Sequence, residues 1–290
     1  MSRLLRLIPA FLFIAKFSHA QDSAFVHVNA GVIYNSGLNY YGRVDSLESK
    51  GVCPFIGLSL KNGLYVNSTF VFVENSLQSQ YAATLLEAGY NFGGSISAGD
   101  SSGAGNAGTS TSAGNFGKHW AGNLSVSRFL YRPEVDLVES VVREMASASL
   151  TRLNKVANIT LTASARWSSQ VDYNAQAGLD HIIRIPNVLS KKGVLVFDPT
   201  ATISAGTQNF TTTYYQEKNF LFLPVQEQQI TATSEQFNIL AYELSCPIVY
   251  GLGKARLMLS PAYVVPQHLI TGAELGSNLF YITALVKITL

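Results

Sequence analysis

Residues Asn158–Trp167 read NITLTASARW, and apolar and polar residues alternate through the whole segment. Its odd positions carry Ile, Leu, Ala, Ala and Trp, and its even positions carry Asn, Thr, Thr, Ser and Arg. Because successive side chains of a β-strand point to opposite faces, this period of two predicts a strand with one apolar and one polar face. The segment is also long, since ordinary strands have ~5–6 residues, whereas ~9–11 cross a bilayer at a tilt of ~45°.

The same alternation recurs along most of the chain. It is clear in 173–183, 238–248 and 280–290. In 238–248 we assign to the apolar face Leu240, Tyr242, Leu244, Cys246 and Ile248. A helical period appears only in 134–145, EVDLVESVVREM, which predicts either a loop helix or extensions of the neighbouring strands. The fold class that we predict is therefore all-β.

The composition narrows the functional classes. Charged residues make up 13% of the 290 residues, against roughly 25% in a typical soluble domain, and hydrophobic residues make up 47%. This composition excludes a disordered chain and a charged helical protein. Nucleic acid is not an expected partner, because 20 basic residues barely exceed 18 acidic ones.

A strand with one apolar face fits either a soluble β-sandwich or a membrane β-barrel. Three features favour the barrel: the strand lengths, the small and mostly uncharged polar faces, and aromatic residues near segment ends, as in an interfacial girdle. Only a closed barrel lets strands cross lipid with every backbone group paired. The aromatic residues are Tyr34, Tyr90, Phe92, Tyr131, Trp167, Tyr173, Tyr250, Tyr263 and Phe280.

We predict an antiparallel transmembrane β-barrel of about twelve strands, closed by the carboxyl-terminal strand. Tight turn signals at 61–63, 154–155 and 251–254 all fall on the same side of the predicted barrel. This side is periplasmic if the amino terminus lies in the periplasm. The Gly/Ser-rich insertion 93–118 falls on that side too, so it is either a flexible turn insertion or a sign that the strand count is off by one upstream. The predicted strands lie near 24–35, 51–60, 64–74, 82–93, 120–131, 144–153, 157–167, 172–184, 194–208, 236–249, 255–265 and 279–290.

The first twenty residues predict export. Residues 1–20 combine Arg3 and Arg6, a short apolar stretch broken by Lys16, and Ser18-His19-Ala20, as in a secretory signal peptide cleaved before Gln21. The apolar stretch is too short for a membrane anchor, which needs ~20 residues. The barrel domain is then 21–290. Strand parity places Cys53 and Cys246 on opposite faces, so we expect no disulfide between them.

The final strand carries a resemblance. Phe280, Tyr281 and the alternating hydrophobic residues up to Leu290 resemble the terminal signal by which outer-membrane barrels are recognised for assembly, although that signal usually ends on Phe. The segments 195–210 and 242–266 resemble poorly characterised Bacteroidota-type outer-membrane barrels of Gram-negative bacteria. The resemblance implies fold, outer-membrane location, and outer-membrane lipid and the barrel-assembly machinery as partners. It implies no substrate.

No motif predicts catalysis, a metal or a cofactor. His27, His119, His181 and His268 are scattered, without the convergence that a metal site needs. Outer-membrane enzymes are barrels too, but neither the pair of His268 and Glu274 nor that of Asp180 and His181 has a nucleophile motif beside it. The glycine-rich insertion has no Gly-Lys-Ser/Thr and opens no helix, so it predicts no phosphate site. We therefore expect that the chain is not an enzyme.

Charges on the polar faces are the candidate functional residues. They either brace the barrel interior or line a porin-like, narrow channel for small solutes. The first hypothesis for function is passage of a small solute. The second is a non-transporting surface or scaffold barrel whose loops bind a periplasmic or surface protein, and the third is an enzyme at the barrel rim. The predicted lumen-facing charges are Glu87, Arg166, Asp180, Asp198, Glu243, Arg256 and Lys287.

Overall fold

The fold is described from a computed structural model covering residues 26–41, 43–44, 49–75, 79–93, 119–132, 142–168, 171–207, 237–267 and 278–290. These residues form strands and turns, and among them no helix is long and apolar enough to cross a membrane. The predicted signal peptide, His268, Glu274 and most of 134–145 lie outside this part of the chain. The strands are β1 (Val26–Asn35), β2 (Asn39–Tyr40), β3 (Arg43–Val44), β4 (Lys50–Leu60), β5 (Leu64–Glu74), β6 (Ser79–Gly93), β7 (Trp120–Tyr131), β8 (Glu144–Arg152), β9 (Asn158–Trp167), β10 (Val171–Asp180), β11 (Ile183–Pro186), β12 (Gly193–Phe197), β13 (Thr200–Gly206), β14 (Asn238–Ser245), β15 (Ile248–Leu252), β16 (Ala255–Pro266) and β17 (Leu279–Thr289).

The strands close into an antiparallel ring. Twelve of them follow one another in the order β1-β4-β5-β6-β7-β8-β9-β10-β13-β14-β16-β17, and β17 pairs with β1 to complete the barrel. The closing register places Val32 beside Val286 and Asn35 beside Thr283. The prediction of an all-β barrel of about twelve strands is therefore confirmed, and the strand bounds agree with the predicted ones to within a few residues.

Three predicted strands are interrupted rather than continuous. The predicted strand 172–184 appears as β10 and β11, 194–208 as β12 and β13, and 236–249 as β14 and β15. Pro199 and Pro247 lie at two of these breaks, where the missing N–H of proline interrupts the ladder. Their carbonyl oxygens still accept hydrogen bonds, at 3.2 Å from the His181 N–H and at 3.0 Å from the Asp198 N–H, so the breaks lie side by side.

The apolar residues of the alternating pattern point away from the barrel axis. Val126, for example, is 61% exposed, whereas its neighbour Ser127 is buried. Most of the exposed outward aromatic side chains lie near one end of the strands, and Trp120 lies near the other, beside the guanidinium of Arg152 at 5.9 Å. Tyr131 differs from the prediction, because it shares the inner face with Ala83 and donates its hydroxyl to the Val142 carbonyl at 2.8 Å. The outward aromatic residues include Tyr34, Phe72, Trp120, Trp167, Tyr173, Tyr263 and Phe280.

A β-bulge changes the faces at the start of β14. Ser204 pairs with Ala241 and Ala205 pairs with Ile239, so Leu240 has no partner in the ladder. Leu240 is fully buried, which makes its assignment to the outer apolar face wrong, and Ile239 takes the exposed position instead. The bulge inserts one residue and so reverses the parity on one side of it. Cys53 is buried, Cys246 is half-buried, and both are free thiols.

The connections differ between the two ends of the barrel. The end that carries Val26 and Leu290, here called the turn end, has the connections 61–63, 94–119, 153–157, 187–192 and 253–254. The other end, here called the loop end, has the connection 36–49, which contains the β2–β3 hairpin. It also has the connections 75–78, 132–143, 168–170, 207–237 and 267–278. The insertion after Gly93 thus leaves from the turn end, and β7 returns there with Ala121 beside Gly93. The upstream strand count therefore agrees with the prediction.

Buried apolar side chains inside the ring cluster next to the β1–β17 seam, and a second buried pair, Val196 and Val249, lies on β12 and β15. Here the "apolar wall" means Ile33, Cys53, Phe55 and Leu285 of β1, β4 and β17, with Val71 and Met258 packed against them. A glycine allows this packing, because a Cβ on Gly31 would lie 2.7 Å from the Phe55 ring and 2.3 Å from the Val286 carbonyl oxygen. The interior is therefore narrowed by apolar side chains next to the β1–β17 seam.

Candidate pore lining

The inner wall opposite the apolar wall is polar. Short hydroxyl and amide side chains on β7 to β10 and β13 face the interior and link neighbouring strands: Thr151 and Thr160 share a hydrogen bond of 2.9 Å, and Gln176 donates to Ser204 at 3.2 Å. Such side chains leave room and offer both donors and acceptors. This "polar wall" comprises Asn123, Ser125, Ser127, Ser147, Ser149, Thr151, Asn158, Thr160, Thr162, Ser164, Asn174, Gln176, Thr202 and Ser204.

Glu87 lies at mid-height, at the edge of the polar wall. Its carboxylate accepts a hydrogen bond from the Tyr65 hydroxyl, which in turn accepts from the Asn123 amide at 3.0 Å. Asn123 also donates to the Asn91 side chain at 2.8 Å. Glu87 lies on the inner face, and the network holds its carboxylate against the wall.

Arg166 and Asp172 lie next to each other near the loop end. They are directly paired in the β9–β10 register, and both face the interior. Asp172 is 1% exposed and accepts a hydrogen bond from the Thr207 hydroxyl. Asp172 was not among the predicted lumen-facing charges, although it has the same parity as the predicted Asp180 and starts the same strand. The guanidinium of Arg166 also lies 5.6 Å from the centre of the Tyr41 ring.

Glu243 lies near the loop end on the other side of the interior. The Tyr281 hydroxyl donates to its Oε2 at 3.3 Å, and the same hydroxyl is hydrogen-bonded to the side chain of Asn39. Asn39 belongs to the β2–β3 hairpin in the connection between β1 and β4. Loop-end residues from three parts of the chain therefore meet around Glu243.

Two predicted acidic residues lie lower in the barrel. Asp180 accepts a hydrogen bond of 2.6 Å from the Asn158 side chain, across the β9–β10 pair. Asp198 is buried at the break between β12 and β13. His181 follows Asp180 but is exposed, and its backbone N–H is bonded to the Pro199 carbonyl. The structure thus gives Asp180 an amide partner.

Arg256 and Lys287 form a basic pair near the turn end. They are directly opposite each other in the β16–β17 register, and Lys287 is 3% exposed although it carries a charge. On its other side Lys287 is paired with Gly31 of β1, next to the apolar wall. Like charges directly opposite each other repel, so this arrangement lowers stability.

The seven predicted charges all lie on the inner or buried side of the sheet, but they do not converge on one point. Arg166 and Glu243 lie toward the loop end, Glu87 at mid-height, and Arg256 and Lys287 toward the turn end. Within the described ranges no group of three or more His, Cys, Asp or Glu could hold a metal ion. The arrangement is a lining distributed along the interior rather than a single reaction centre.

The fold and this lining define the chain as a closed antiparallel β-barrel with a mixed polar and apolar interior. No protein-family model and no curated protein matches the sequence. Solved structures similar to it include the KdgM porin (8% identity, 90% of this chain and 98% of that chain, TM-score 0.44) and the NanC porin (10%, 91% and 100%, 0.43). Another is LpxR from Salmonella typhimurium (12%, 90% and 99%, 0.42).

Proposed function

We propose that this chain is an outer-membrane β-barrel that lets small polar solutes pass along its polar wall. The observation that carries the proposal is the division of the surface: apolar side chains with aromatic flanks cover the outside, and hydroxyls, amides and charges cover half of the inside. The apolar outer surface is suited to contact with lipid, and the polar inner surface is suited to contact with water. The signal peptide cleaved before Gln21, a Bacteroidota-type origin and recognition of the last strand by the assembly machinery stay predictions.

The apolar wall makes the proposed passage narrow. Ile33, Phe55 and Leu285 fill the interior beside the seam, so a solute would move along the opposite side, past Glu87 and the hydroxyls of β8 and β9. A barrel of this size lies between small filled barrels and open ~16-stranded porins. We therefore expect small, discrete conductance steps rather than those of a wide pore.

Single-channel conductance in planar bilayers tests the proposal. We expect a stable conductance whose ion selectivity shifts in opposite directions in Glu243→Ala and Arg256→Ala, since each change removes one charge of opposite sign. Arg128→Ala is the matched control, because Arg128 lies on the outer face, 3.6 Å from the Glu144 carboxylate. A conductance with identical selectivity in all three variants would contradict the role of the inner charges.

The apolar wall also favours the second hypothesis, a barrel that transports nothing and binds a partner through its loops. This hypothesis predicts no conductance and protection of the loop-end connections from protease when the partner is bound. That the chain is not an enzyme also stays a prediction.

A further inference from the structure

The first connection of the barrel reaches across the interior. Tyr41 follows β1 by only a few residues, yet its ring lies 5.6 Å from the guanidinium carbon of Arg166 on β9. In the twelve-membered ring β1 and β9 are diametrically opposite, with five strands between them on either side. Six residues of extended chain reach at most about 20 Å from the end of β1. Residues 36–41, with the side chains of Tyr41 and Arg166 in contact, therefore bridge the loop-end mouth.

The near end of this segment is fixed to its own wall. The Ser36 N–H donates to the Ile282 carbonyl at 2.9 Å, and the Ile282 N–H donates back to the Ser36 hydroxyl oxygen at 2.8 Å. The Leu38 N–H donates to the Ser49 carbonyl at 2.7 Å. Asn39 is hydrogen-bonded to the Tyr281 hydroxyl, which also contacts Glu243. The start of the segment is therefore held to β17 and to the end of the same connection.

The far end is fixed by Tyr41. Tyr41 has a φ of 52°, in the left-handed region that non-glycine residues rarely adopt. Such a conformation persists where surrounding contacts impose it, and it is common at functional sites. The contact with Arg166, which itself lies beside Asp172, supplies such an interaction on the opposite wall.

We propose that residues 36–41 form a strap that constricts the mouth of the lumen, and that Tyr41 and Arg166 determine the largest solute that passes. The inference rests on the proposed function in that a constriction matters only if solutes pass. Glu243, next to Asn39 of the strap, lies on one side of the mouth, and Arg166 with Asp172 lies on the other, so a solute meets polar groups on both sides. The solutes selected are small and polar.

Conductance tests the role of the strap. A cation–π contact at a partly exposed site favours the strap in contact with Arg166 over the released strap by roughly two- to fivefold. We expect Tyr41→Ala and Arg166→Ala each to raise the mean conductance by a factor in about that range, and to admit larger neutral sugars in a liposome-swelling assay. Tyr41→Phe keeps the ring and should behave as the natural chain does. Tyr34→Ala and Arg128→Ala, both on the outer face at the same end, are the matched controls. An unchanged solute limit in Tyr41→Ala would overturn the proposal.

Cross-linking separates a failure of the strap from a failure of the proposed function. Tyr41→Cys and Arg166→Cys are combined in a background in which Cys53 and Cys246 are replaced by Ala, and a short bifunctional thiol reagent is applied to intact membranes. We expect an intramolecular cross-link, detected as a shifted band in unheated gels. The pair Tyr41→Cys and Arg128→Cys, on opposite faces, should give none. A barrel without conductance that still cross-links refutes the passage alone, whereas absence of the first cross-link refutes the strap.

Discussion

A charge placed on the outer face halfway along β7 should be strongly destabilising. Val126 is 61% exposed and lies between Ala88 and Ala146 on the neighbouring strands. β7 has 12 residues, so half of it, at ~3.3 Å per residue and a tilt of ~45°, places Val126 ~14 Å from the turn-end interface. That depth is close to the bilayer midplane, where an Arg costs about 2–4 kcal/mol. At an exposed site in water the same substitution would change stability by about 0.5 kcal/mol or less.

Equilibrium unfolding in urea, with the protein in lipid vesicles, measures this cost. Trp120 and Trp167 both lie partly exposed on the outer face, near opposite ends, and report the transition by fluorescence. Val156→Arg is the matched control, because Val156 is 77% exposed in a turn-end connection outside the strands. We expect Val126→Arg to lower the free energy of unfolding by about 2–4 kcal/mol and Val156→Arg by less than about 1 kcal/mol. Equal costs in the two variants would refute the assignment of this face to lipid.

Three further substitutions test the interior. Gly31→Ala should lower the yield of the folded, heat-modifiable form and cost about 1–3 kcal/mol, since the new Cβ would lie 2.3 Å from the Val286 carbonyl oxygen; Gly251→Ala, whose nearest atom is 3.9 Å away, should have little effect. Phe55→Ala, at a side chain 4% exposed, should lower the free energy of unfolding by about 3–5 kcal/mol and raise conductance by removing part of the apolar wall. Asp172→Ala should cost about 1–3 kcal/mol in the same urea titration, because it leaves the buried Thr207 hydroxyl without its acceptor; an unchanged midpoint would contradict that hydrogen bond.

The architecture could be predicted from the sequence because its signals are local. The alternation in 158–167 gives the faces of β9 residue by residue, and two of the three tight turns are marked by glycines that adopt positive φ, 96° at Gly63 and 58° at Gly253. The inward positions of Glu87, Arg166 and Lys287 follow from the same parity. A strand pattern and its turns therefore suffice to count and orient the strands.

What the sequence did not predict depends on contacts between distant strands. The bulge that buries Leu240 arises from how β13 and β14 pair, and nothing in 238–248 marks it. The contact between Tyr41 and Arg166 requires the ring to close, since it joins the first connection to the seventh barrel strand. The apolar wall was not predicted either, because each of β1, β4 and β17 supplies only one or two of its residues. The cluster forms only when the three strands lie side by side.

Labelling two adjacent residues of β9 tests most directly whether this chain is a barrel with lipid outside and water inside. Leu161 is exposed on the outer face and Thr162 lies on the polar wall, so the two positions differ in face but barely in depth. Each is replaced by Cys in a background without Cys53 and Cys246, and the protein is placed in vesicles. We predict that a fluorophore on Leu161→Cys is quenched by brominated lipid, and that Thr162→Cys is not quenched but reacts with a membrane-impermeant thiol reagent. Absence of quenching at Leu161→Cys, with equal reactivity at both positions, would contradict the account.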